Sequence, residues 1–545
     1  MPRARLWPAY LVLALAGLWL ARLWLTGEAI RQQKMLGTIA TGVLVLVALL
    51  LWLAFFSRLP GRTRLVGVAA SLGVLAIVPA FFRIRGVTGD LRPIVEPRFG
   101  RSAGLPELPP PPASLAPEAA PVATPQPSVS ASPASVPAAA PAAGERGAAP
   151  PAPPKAAAAP EPAFPQFLGP SRDGTLGGPR LARDWSRQPP RQLWRRPLGP
   201  GWSGFATSSG IAVTQEQRGG EEHVVAYDLR SGKPLWSHAD ATRYETVIAG
   251  IGPRATPTIA GARVYAMGAT GLLNALDLAS GRKLWSRDVL KETRASLPDW
   301  GRSCSPLLLD GRVIVIAGGP DGHRLVAYDA ASGAPVWAAG EGGASYSSPT
   351  LVTLAGRPQL VVLNAASVSG HEPATGAVLW EHPFPDQQPN VALPVPLGAD
   401  RLLVSAGYGV GSKAYRVSET DGALHASLEW ESPRLKSKFA NLIVHQGFVY
   451  GLDDGVLTCL DPARGERRWK SGRHGHGQLL LVGGLLLVQT EEGELVLVEP
   501  SPEAYRELGR FAALDGKTWN PPALAGSLLL VRNDREAAAY ELPVE

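Results

Sequence analysis

One short pattern recurs along the chain and constrains its fold more than any other feature. The pattern is small residue-x-Asp-x3-Gly-x3-Trp, where x is any residue. Looser copies of it keep the terminal aromatic residue. The terminal aromatics, counted from Trp194, are Trp236, Trp285, Trp337, Trp380, Trp430, Trp469 and Phe511. Self-similarity at about 40–50 residues, with room for four short strands per unit, is typical of a β-propeller.

Each residue type in the repeat has a physical role. In the unit that ends at Trp285, Asp277 can accept hydrogen bonds from its own turn, and Gly281 can take the left-handed conformation that the turn needs. Trp285 offers a large apolar face, best used to dock one blade against the next. We therefore expect the repeated tryptophans to be core residues rather than ligand-stacking residues.

The two ends of the repeat region each hold part of a unit. The C-terminal part has strand-like runs at 527–532 and 537–542 but no closing tryptophan strand, whereas the segment around Trp194 has such a strand and no blade before it. Joining them predicts an eighth blade and leaves few exposed sheet edges. The sequence thus predicts an all-β, eight-bladed propeller over 164–545, with seven blades as the alternative.

The first 102 residues are typical of a membrane anchor. Three apolar runs, 6–25, 36–56 and 65–82, are each long enough to cross a bilayer as a helix, which takes about 20 residues. A cleaved signal peptide is the alternative for the first run only, and the second long run that follows disfavours it. The sequence predicts three transmembrane helices.

Charge places the two parts of the chain. Residues 1–102 hold thirteen Lys and Arg against three Asp and Glu, a net charge of +10, so with +7 overall the remainder carries −3. The basicity therefore belongs to the anchor, and a nucleic-acid partner is not expected. The distribution of Lys and Arg around the spans mildly favours a propeller on the extracytoplasmic side of a bacterial inner membrane.

A Pro-rich and Ala-rich stretch at 103–163 separates anchor and propeller. Nineteen prolines fall within 106–165. Such a composition cannot bury a core, so we expect a disordered linker, and at ~3.1 Å per residue its extended reach is about 190 Å. The linker is interpreted as a tether that holds the propeller away from the membrane.

These motifs resemble the tryptophan-docking repeat of pyrroloquinoline quinone (PQQ) propellers, over about 164–545. That superfamily includes quinoprotein alcohol dehydrogenases and the non-catalytic propeller lipoprotein of outer-membrane assembly. The segments 167–174 (FLGPSRDG), 252–257 (GPRATP) and 472–478 (GRHGHGQ) also look like those of PQQ-binding-like repeat proteins. The dehydrogenases typically use an adjacent cysteine pair and a calcium bound by Glu and Asn. Here Cys304 and Cys459 are far apart and no ligand set matches, so the cofactor stays unknown, with PQQ and Ca²⁺ possible.

The segments before the first strand of each blade should converge on one channel mouth. They supply many cations and aromatic rings, against the single acid Asp299. The candidate binding residues are Arg254, Trp300, Arg302, Tyr346, Lys436, Lys438, Arg473, His474, Lys517 and Trp519. This composition would suit a planar anion or a carboxylate-bearing peptide or sugar, whereas the alternative is solvated loop residues. His474 and His476 form His-x-His, but with no third ligand evident no metal site is expected.

Two functions from different classes follow. The first is a membrane-anchored, extracytoplasmic scaffold for binding or assembly, with a protein, peptide or small anion as its partner. The alternative is a PQQ-dependent dehydrogenase that oxidises an alcohol or a sugar and passes electrons to the membrane. The sequence assigns no catalytic residue and favours the first.

Overall fold

The computed structural model describes residues 5–26, 31–99, 105, 107–109, 163–386 and 389–545. The predicted disordered linker lies almost wholly outside these residues and stays a prediction. Within them, three helices are followed by a two-stranded hairpin and an eight-bladed propeller.

The three N-terminal helices are α1 (Trp7–Leu25), α2 (Arg31–Leu51) and α3 (Gly61–Phe81), and α2 continues into a short π-helical turn at Trp52–Phe56. Each is long and apolar enough to cross a membrane, as predicted. Many of their large apolar side chains are exposed in the isolated chain, as expected for a surface that lipid would cover. Pro79 lies near the end of α3, where only the last turn is affected.

An antiparallel hairpin begins directly where α3 ends. Its strands are β1 (Phe82–Val87) and β2 (Pro93–Pro97), with an irregularity in register between Ile84 and Gly86. The turn between them is closed by two backbone hydrogen bonds, from Thr88 N to Arg92 O and from Leu91 N to Thr88 O, both 2.9 Å. The sequence analysis did not predict this hairpin.

Eight sheets form the blades, each built on four antiparallel strands, and one of them carries a fifth, parallel strand. Two strands precede the first complete blade: β3 (Thr175–Leu176) and β4 (Arg191–Pro197). Blade one comprises β5 (Ala206–Ser208), β6 (Ile211–Arg218), β7 (Glu221–Asp228) and β8 (Pro234–Asp240). A small ribbon follows, formed by β9 (Glu245–Thr246) and β10 (Gly250–Ile251). Blade two comprises β11 (Thr258–Ala260), β12 (Arg263–Met267), β13 (Leu272–Asp277) and β14 (Lys283–Asp288), with the short helix α4 (Val289–Thr293) after it.

The next four blades repeat this arrangement. Blade three comprises β15 (Leu307–Leu309), β16 (Arg312–Ile316), β17 (Leu325–Asp329) and β18 (Pro335–Ala339). Blade four comprises β19 (Thr350–Leu354), β20 (Arg357–Leu363), β21 (Ser367–His371) and β22 (Val378–Pro383). Blade five comprises β23 (Val395–Pro396), β24 (Arg401–Ala406), β25 (Gly411–Thr420) and β26 (Ala423–Ser432). Blade six comprises β27 (Ile443–His445), β28 (Phe448–Asp453), β29 (Val456–Asp461) and β30 (Glu466–Arg473).

The last two blades use strands from both ends of the repeat region. Blade seven comprises β31 (Gln478–Val482), β32 (Leu485–Gln489), β33 (Glu494–Glu499) and β34 (Arg506–Ala512), and β3 adds to β31 in parallel. Blade eight comprises β35 (Ala523–Ala525), β36 (Leu528–Arg532), β37 (Glu536–Glu541) and β4 from the N-terminal side. Trp194 of β4 stands opposite Ala539 of β37. The predicted closure by both ends is therefore confirmed, and the count is eight rather than seven.

The repeated tryptophans join neighbouring blades, as expected. The indole N–H of Trp236 in blade one donates to Leu278 O in blade two at 2.8 Å. In the same turn Asp277 accepts from Ser280 N at 2.9 Å, and Gly281 has a φ of +73°. A Cβ on Gly281 would lie 2.3 Å from the Trp236 ring, so the turn can approach the indole only because this residue is glycine. Side chains buried between the sheets form the hydrophobic core.

Candidate functional site

Five aromatic rings from the loops before the inner strands of different blades, and a sixth from the β24–β25 loop, come together at one end of the channel. Ring centres of Trp202 and Trp519 are 4.9 Å apart, and those of Trp519 and Phe439 are also 4.9 Å apart. Trp300 lies 6.1 Å from Phe439 and 5.2 Å from Tyr346. We call this cluster, with Tyr408 beside it, the aromatic mouth; its members are Trp202, Trp300, Tyr346, Tyr408, Phe439 and Trp519.

The aromatic mouth lines a cavity of about 220 Å³. On one side the cavity is bounded by the tip of the β1–β2 hairpin, through Val87, Gly89 and Leu91. On another side it reaches Phe167, in the segment that the sequence analysis singled out at 167–174. The cavity is therefore built from the propeller and from the segment that follows the membrane helices.

Residues 164–176 run along the inner strands and cross the channel. Pro165 O accepts from Ile259 N of blade two at 2.7 Å, and the Arg172 guanidinium donates to Ser305 O, just before blade three, at 2.8 Å. Gly174 O then accepts from Leu481 N of blade seven at 2.8 Å. Because blades three and seven are opposite in a ring of eight, this segment closes the channel beneath the cavity.

Three cations of the predicted set lie against the aromatic rings. The Arg254 guanidinium is 4.4 Å from the ring centre of Tyr244, and Lys438 Nζ is 4.5 Å from that of Tyr408. Lys517 Nζ lies 4.1 Å from the ring centre of Trp519. These are cation–π distances, and such contacts strengthen when water is excluded.

Burial shifts the acid–base behaviour of these cations. It lowers the pKa of Arg254 to about 10 and that of Lys517 to about 8. It also lowers the pKa of Lys438, although Asp90, Asp454 and Glu491 oppose the shift. Desolvation disfavours the charged form of a basic group, so each of them needs hydrogen-bond acceptors to remain charged.

The hairpin tip supplies acceptors to two of these cations, Lys438 and Lys517. Lys438 Nζ donates to Gly89 O at 2.6 Å and to Gln32 Oε1, in the first turn of α2, at 2.9 Å. Lys517 Nζ donates to Val87 O at 3.1 Å. Arg254 instead donates to carbonyl groups of its own loop, including Ala249 O at 2.8 Å.

Two acids near the mouth were not included in the sequence analysis. Glu491, in the loop between β32 and β33, is 8% exposed and accepts from Gly89 N at 2.6 Å and from the Trp519 indole N–H at 2.9 Å. Asp534, after β36, pairs with Arg85 of the hairpin at 3.1 Å. Asp299 was the single acid counted in the segments before the first strands, whereas Glu491 and Asp534 lie in loops between other strands of their blades.

Five of the predicted site residues do not line the cavity. Lys517 lies just outside it, in a neighbouring pocket with Arg85 and Asp534. The Arg302 guanidinium is buried against backbone carbonyls of 296 and 316–317, and Lys436 pairs with Asp453 at 2.6 Å. Arg473 contacts Asp454 O, and His474 packs beside Tyr505 with ring centres 6.0 Å apart. These residues hold equivalent positions in the repeat and so lie at the predicted end of the propeller, but their side chains do not reach the cavity.

The two histidines of the His-x-His pair have different surroundings. His476 Nε2 lies 3.2 Å from Asp90 of the hairpin, and its ring packs against Phe439. Burial of the His474 side chain lowers its pKa to about 4. Among the described residues, no group of three or more His, Cys, Asp and Glu side chains is placed to hold a metal ion.

These residues do not fit PQQ held with calcium. Lys438 and Lys517, which could meet carboxylates of the cofactor, donate to carbonyls of the hairpin, and Arg254 donates to its own loop. The acids Glu491 and Asp534 are likewise engaged by the chain's own groups. Both cysteines are buried and unpaired, in blade six and in the approach to blade three. We derive no step through this cofactor.

Sequence reasoning missed the residues that fill the mouth. Phe439 is adjacent to Lys438, in one of the segments that precede the first strand of a blade, so its aromatic side chain could have identified it. Tyr408 and Glu491 lie in loops that the repeat pattern does not mark. Gly89 and Asp90 belong to the hairpin, which is separated from the propeller by the Pro-rich stretch, and no sequence signal places it here.

Comparison with known proteins places the fold in a recognised group. A family model, PQQ_2, described as outer membrane protein assembly factor BamB, matches residues 190–297 and 220–471. Together these ranges cover slightly more than half of the chain. The matched region extends from β4 through blade six, which is the part of the chain where the tryptophan repeat is most regular.

Two curated relatives are both outer membrane protein assembly factor BamB. The protein from Kangiella koreensis is 31% identical over 152 residues, which is 28% of this chain and 34% of the relative. That from Moranella endobia is 24% identical over 260 residues, 45% of this chain and 63% of the relative. The alignments therefore span between about one third and just under two thirds of those relatives.

Among solved structures, quinohemoprotein alcohol dehydrogenase from Comamonas testosteroni has a TM-score of 0.52 at 14% identity, covering 70% of this chain and 81% of that one. At this identity the similarity shows the fold alone.

Proposed function

The chain belongs to the PQQ_2 family of β-propellers, described as outer membrane protein assembly factor BamB, and from this we propose that it is a membrane-anchored scaffold whose aromatic mouth binds a polypeptide partner. Assembly is what the names of the curated relatives state for those proteins. For this chain, a role in assembly is a proposal that must be supported by its own site.

The observation that carries the proposal is the binding of the hairpin tip in the mouth. The mouth holds this segment through main-chain groups, Gly89 N, Gly89 O and Val87 O, and through the carboxylate of Asp90. Main-chain groups are common to every polypeptide, so a turn bound through them supports recognition of a polypeptide by the mouth. Aromatic rings and buried cations are also the residue types that dominate protein interfaces.

The anchor supports a position at the membrane surface. Lys438 contacts Gln32 at the start of α2, and the hairpin follows the end of α3. In three consecutive spans, the start of the second and the end of the third lie on one side of the membrane. The Lys and Arg distribution of the anchor favours the extracytoplasmic side of a bacterial inner membrane for that side. We propose that the mouth faces this surface.

Photo-cross-linking in native membranes tests the proposal. A photoreactive amino acid at Tyr346, in the mouth, should give a discrete adduct with a second protein, whereas the same group at exposed Leu235, on the outer strand of blade one, should not. The double substitution R254A/K438A should reduce the Tyr346 adduct, because it removes two of the mouth cations. Adducts confined to this chain, with and without that substitution, would contradict the proposal.

The dehydrogenase alternative is tested separately. The purified full chain is mixed with PQQ and Ca²⁺ and examined for a cofactor absorbance band and for dye reduction with alcohols and sugars. A scaffold is expected to give neither signal. Dye reduction that depends on Lys438 or Arg254 would replace the scaffold proposal with an oxidoreductase.

A further inference from the structure

The β1–β2 hairpin is the occupant of the mouth in this structure, and its contacts are of the kind that a separate protein could reproduce. Three of them use main-chain atoms of Val87 and Gly89, and one uses the carboxylate of Asp90. Ion pairs flank the tip, between Arg85 and Asp534 at 3.1 Å and between Arg535 and Glu96. Recognition therefore depends on a turn that carries a glycine followed by an acid.

The fit of the tip depends on the absence of a side chain at Gly89. A Cβ at this position would lie 2.1 Å from the ring of His476, which is 2% exposed and packs against Phe439. Moving that ring aside would break its contact with Asp90 and its packing against Phe439. At Gly86, in the same hairpin, a Cβ would meet only Lys517 Nζ at 3.5 Å and Val247 O at 3.7 Å, which are ordinary contacts.

The hairpin tip covers polar groups of the mouth and forms hydrogen bonds with them. Lys438 is 4% exposed, and its ammonium group has Gly89 O and Gln32 Oε1 as hydrogen-bond acceptors. Glu491 accepts a hydrogen bond from the amide of Gly89. If the hairpin left, water would reach these groups, and another segment that offers the same acceptors and donors could take its place through the same contacts.

The chain also permits the hairpin to leave. Between Phe99 and the start of the propeller the structure describes only residues 105 and 107–109, and the linker predicted from the sequence could span about 190 Å at ~3.1 Å per residue. The polar contacts of the hairpin are four at the tip and the ion pairs that flank it, and Pro109 O adds a hydrogen bond from Ser237 Oγ at 3.1 Å. We expect docking held by so few contacts to be reversible by exchange.

We propose that the juxtamembrane hairpin occupies in cis the place that the partner's turn takes, so that partner binding and docking of the propeller on its anchor exclude each other. This rests on the proposed function, because it assumes that the mouth has a polypeptide partner. The partner's recognised element is a tight turn with a glycine and an acidic residue at its tip. When that turn replaces the hairpin, the propeller moves away from the membrane on the tether.

The test compares G89A with G86A in the full chain in detergent. Brief treatment with an amine-reactive reagent, followed by mass spectrometry, reports the accessibility of Lys438, with exposed Lys233 as internal reference. We expect protection of Lys438 in the wild type and in G86A. In G89A, where the tip cannot seat against His476, labelling of Lys438 should rise about tenfold or more, which corresponds to a shift of ~1.4 kcal/mol in docking.

A second measurement does not depend on lysine chemistry. A protease site is placed within 110–160, the chain is cleaved in detergent, and the anchor is retrieved through an N-terminal tag. The propeller should remain with the anchor in the wild type and in G86A, and should separate in G89A. R85E is a second releasing variant, since it places a carboxylate opposite Asp534 and next to Glu96.

A synthetic cyclic peptide of residues 82–99 completes the experiment. It should bind G89A about tenfold more tightly than the wild type, whose mouth is already occupied. The proposal is overturned if Lys438 in the wild type reacts as fast as Lys233, or if G89A and R85E match G86A in both measurements. If docking behaves as expected but G89A gives no partner adduct at Tyr346 in membranes, the proposed function fails while the cis docking stands.

Discussion

Alanine at Gly281 tests whether the repeat works by glycine–tryptophan contact between blades. Gly281 has a φ of +73°, and a Cβ there would lie 2.3 Å from Cε3 of Trp236. Trp236 is 4% exposed and its indole N–H is bonded to Leu278 O, so the ring cannot turn aside without losing that bond. The left-handed conformation costs an alanine ~1–2 kcal/mol, and overpacking adds ~1–3 kcal/mol. We expect G281A to lower the free energy of unfolding by about 2–5 kcal/mol.

Alanine at Gly261 is the matched control. Gly261 lies in the same blade with a φ of +56°, and no atom lies within 4 Å of the position that a Cβ would take there. G261A therefore carries the conformational cost alone, ~1–2 kcal/mol. The difference between the two variants, about 1–3 kcal/mol, is the contribution of the Trp236 contact.

Urea unfolding of the full chain in detergent, followed by far-ultraviolet circular dichroism, measures that difference. With a slope of ~3 kcal/mol per molar urea, the midpoint of G281A should lie roughly 0.3–1 M below that of G261A. Replacing Trp236 by leucine in the G281A background should recover part of the loss, because the ring that the Cβ meets is gone. Equal midpoints for G281A and G261A would refute the interpretation of the repeat as a steric lock.

Three further outcomes follow from buried groups. Burial raises the pKa of Glu222 from 4.5 to about 7, so the folded state holds its proton more tightly and the free energy of unfolding falls as pH rises between these values. In thermal unfolding, E222Q should therefore be more stable than the wild type at pH 8, by about 3 kcal/mol at most, and should show no such gain at pH 4. Arg532, fully buried, joins blade eight to blade one through Thr214 Oγ1 at 2.6 Å and Gln215 O at 2.7 Å; R532M should lose ~2–4 kcal/mol, whereas R506M at an exposed site should lose none that urea titration detects. Both cysteines are buried, and burial raises the pKa of Cys459 to about 11; maleimide should label neither before urea unfolds the chain, and labelling of native protein would contradict the packing of blades three and six.

Local chemistry explains why the fold could be predicted. The spacing from Asp277 to Gly281 to Trp285 describes a single turn and the strand after it, so it can be recognised without knowing the rest of the molecule. The closure of the ring could be predicted by counting the repeat units, because the strand at Trp194 had no blade before it and the last residues had no closing tryptophan strand. The three helices follow from the length and composition of the apolar runs.

The site was predicted only in part because it depends on side-chain direction and on distant segments. Arg254, Trp300 and Trp519 line the cavity as expected, since the start of each blade fixes their position. Arg302 occupies an equivalent position, but its side chain donates to carbonyls of its own blade, and the repeat does not determine this choice. Gly89 reaches the mouth across a separation of about 400 residues from Glu491, and no periodicity relates them.

The sharing of blade eight between β4 and β37 has a consequence for biosynthesis. Strand β4 (Arg191–Pro197) is synthesised some 340 residues before its neighbour β37 (Glu536–Glu541). During synthesis, β4 therefore stays without its hydrogen-bonded neighbour, as an unpaired β edge, until β37 has been made, and only then can the ring close.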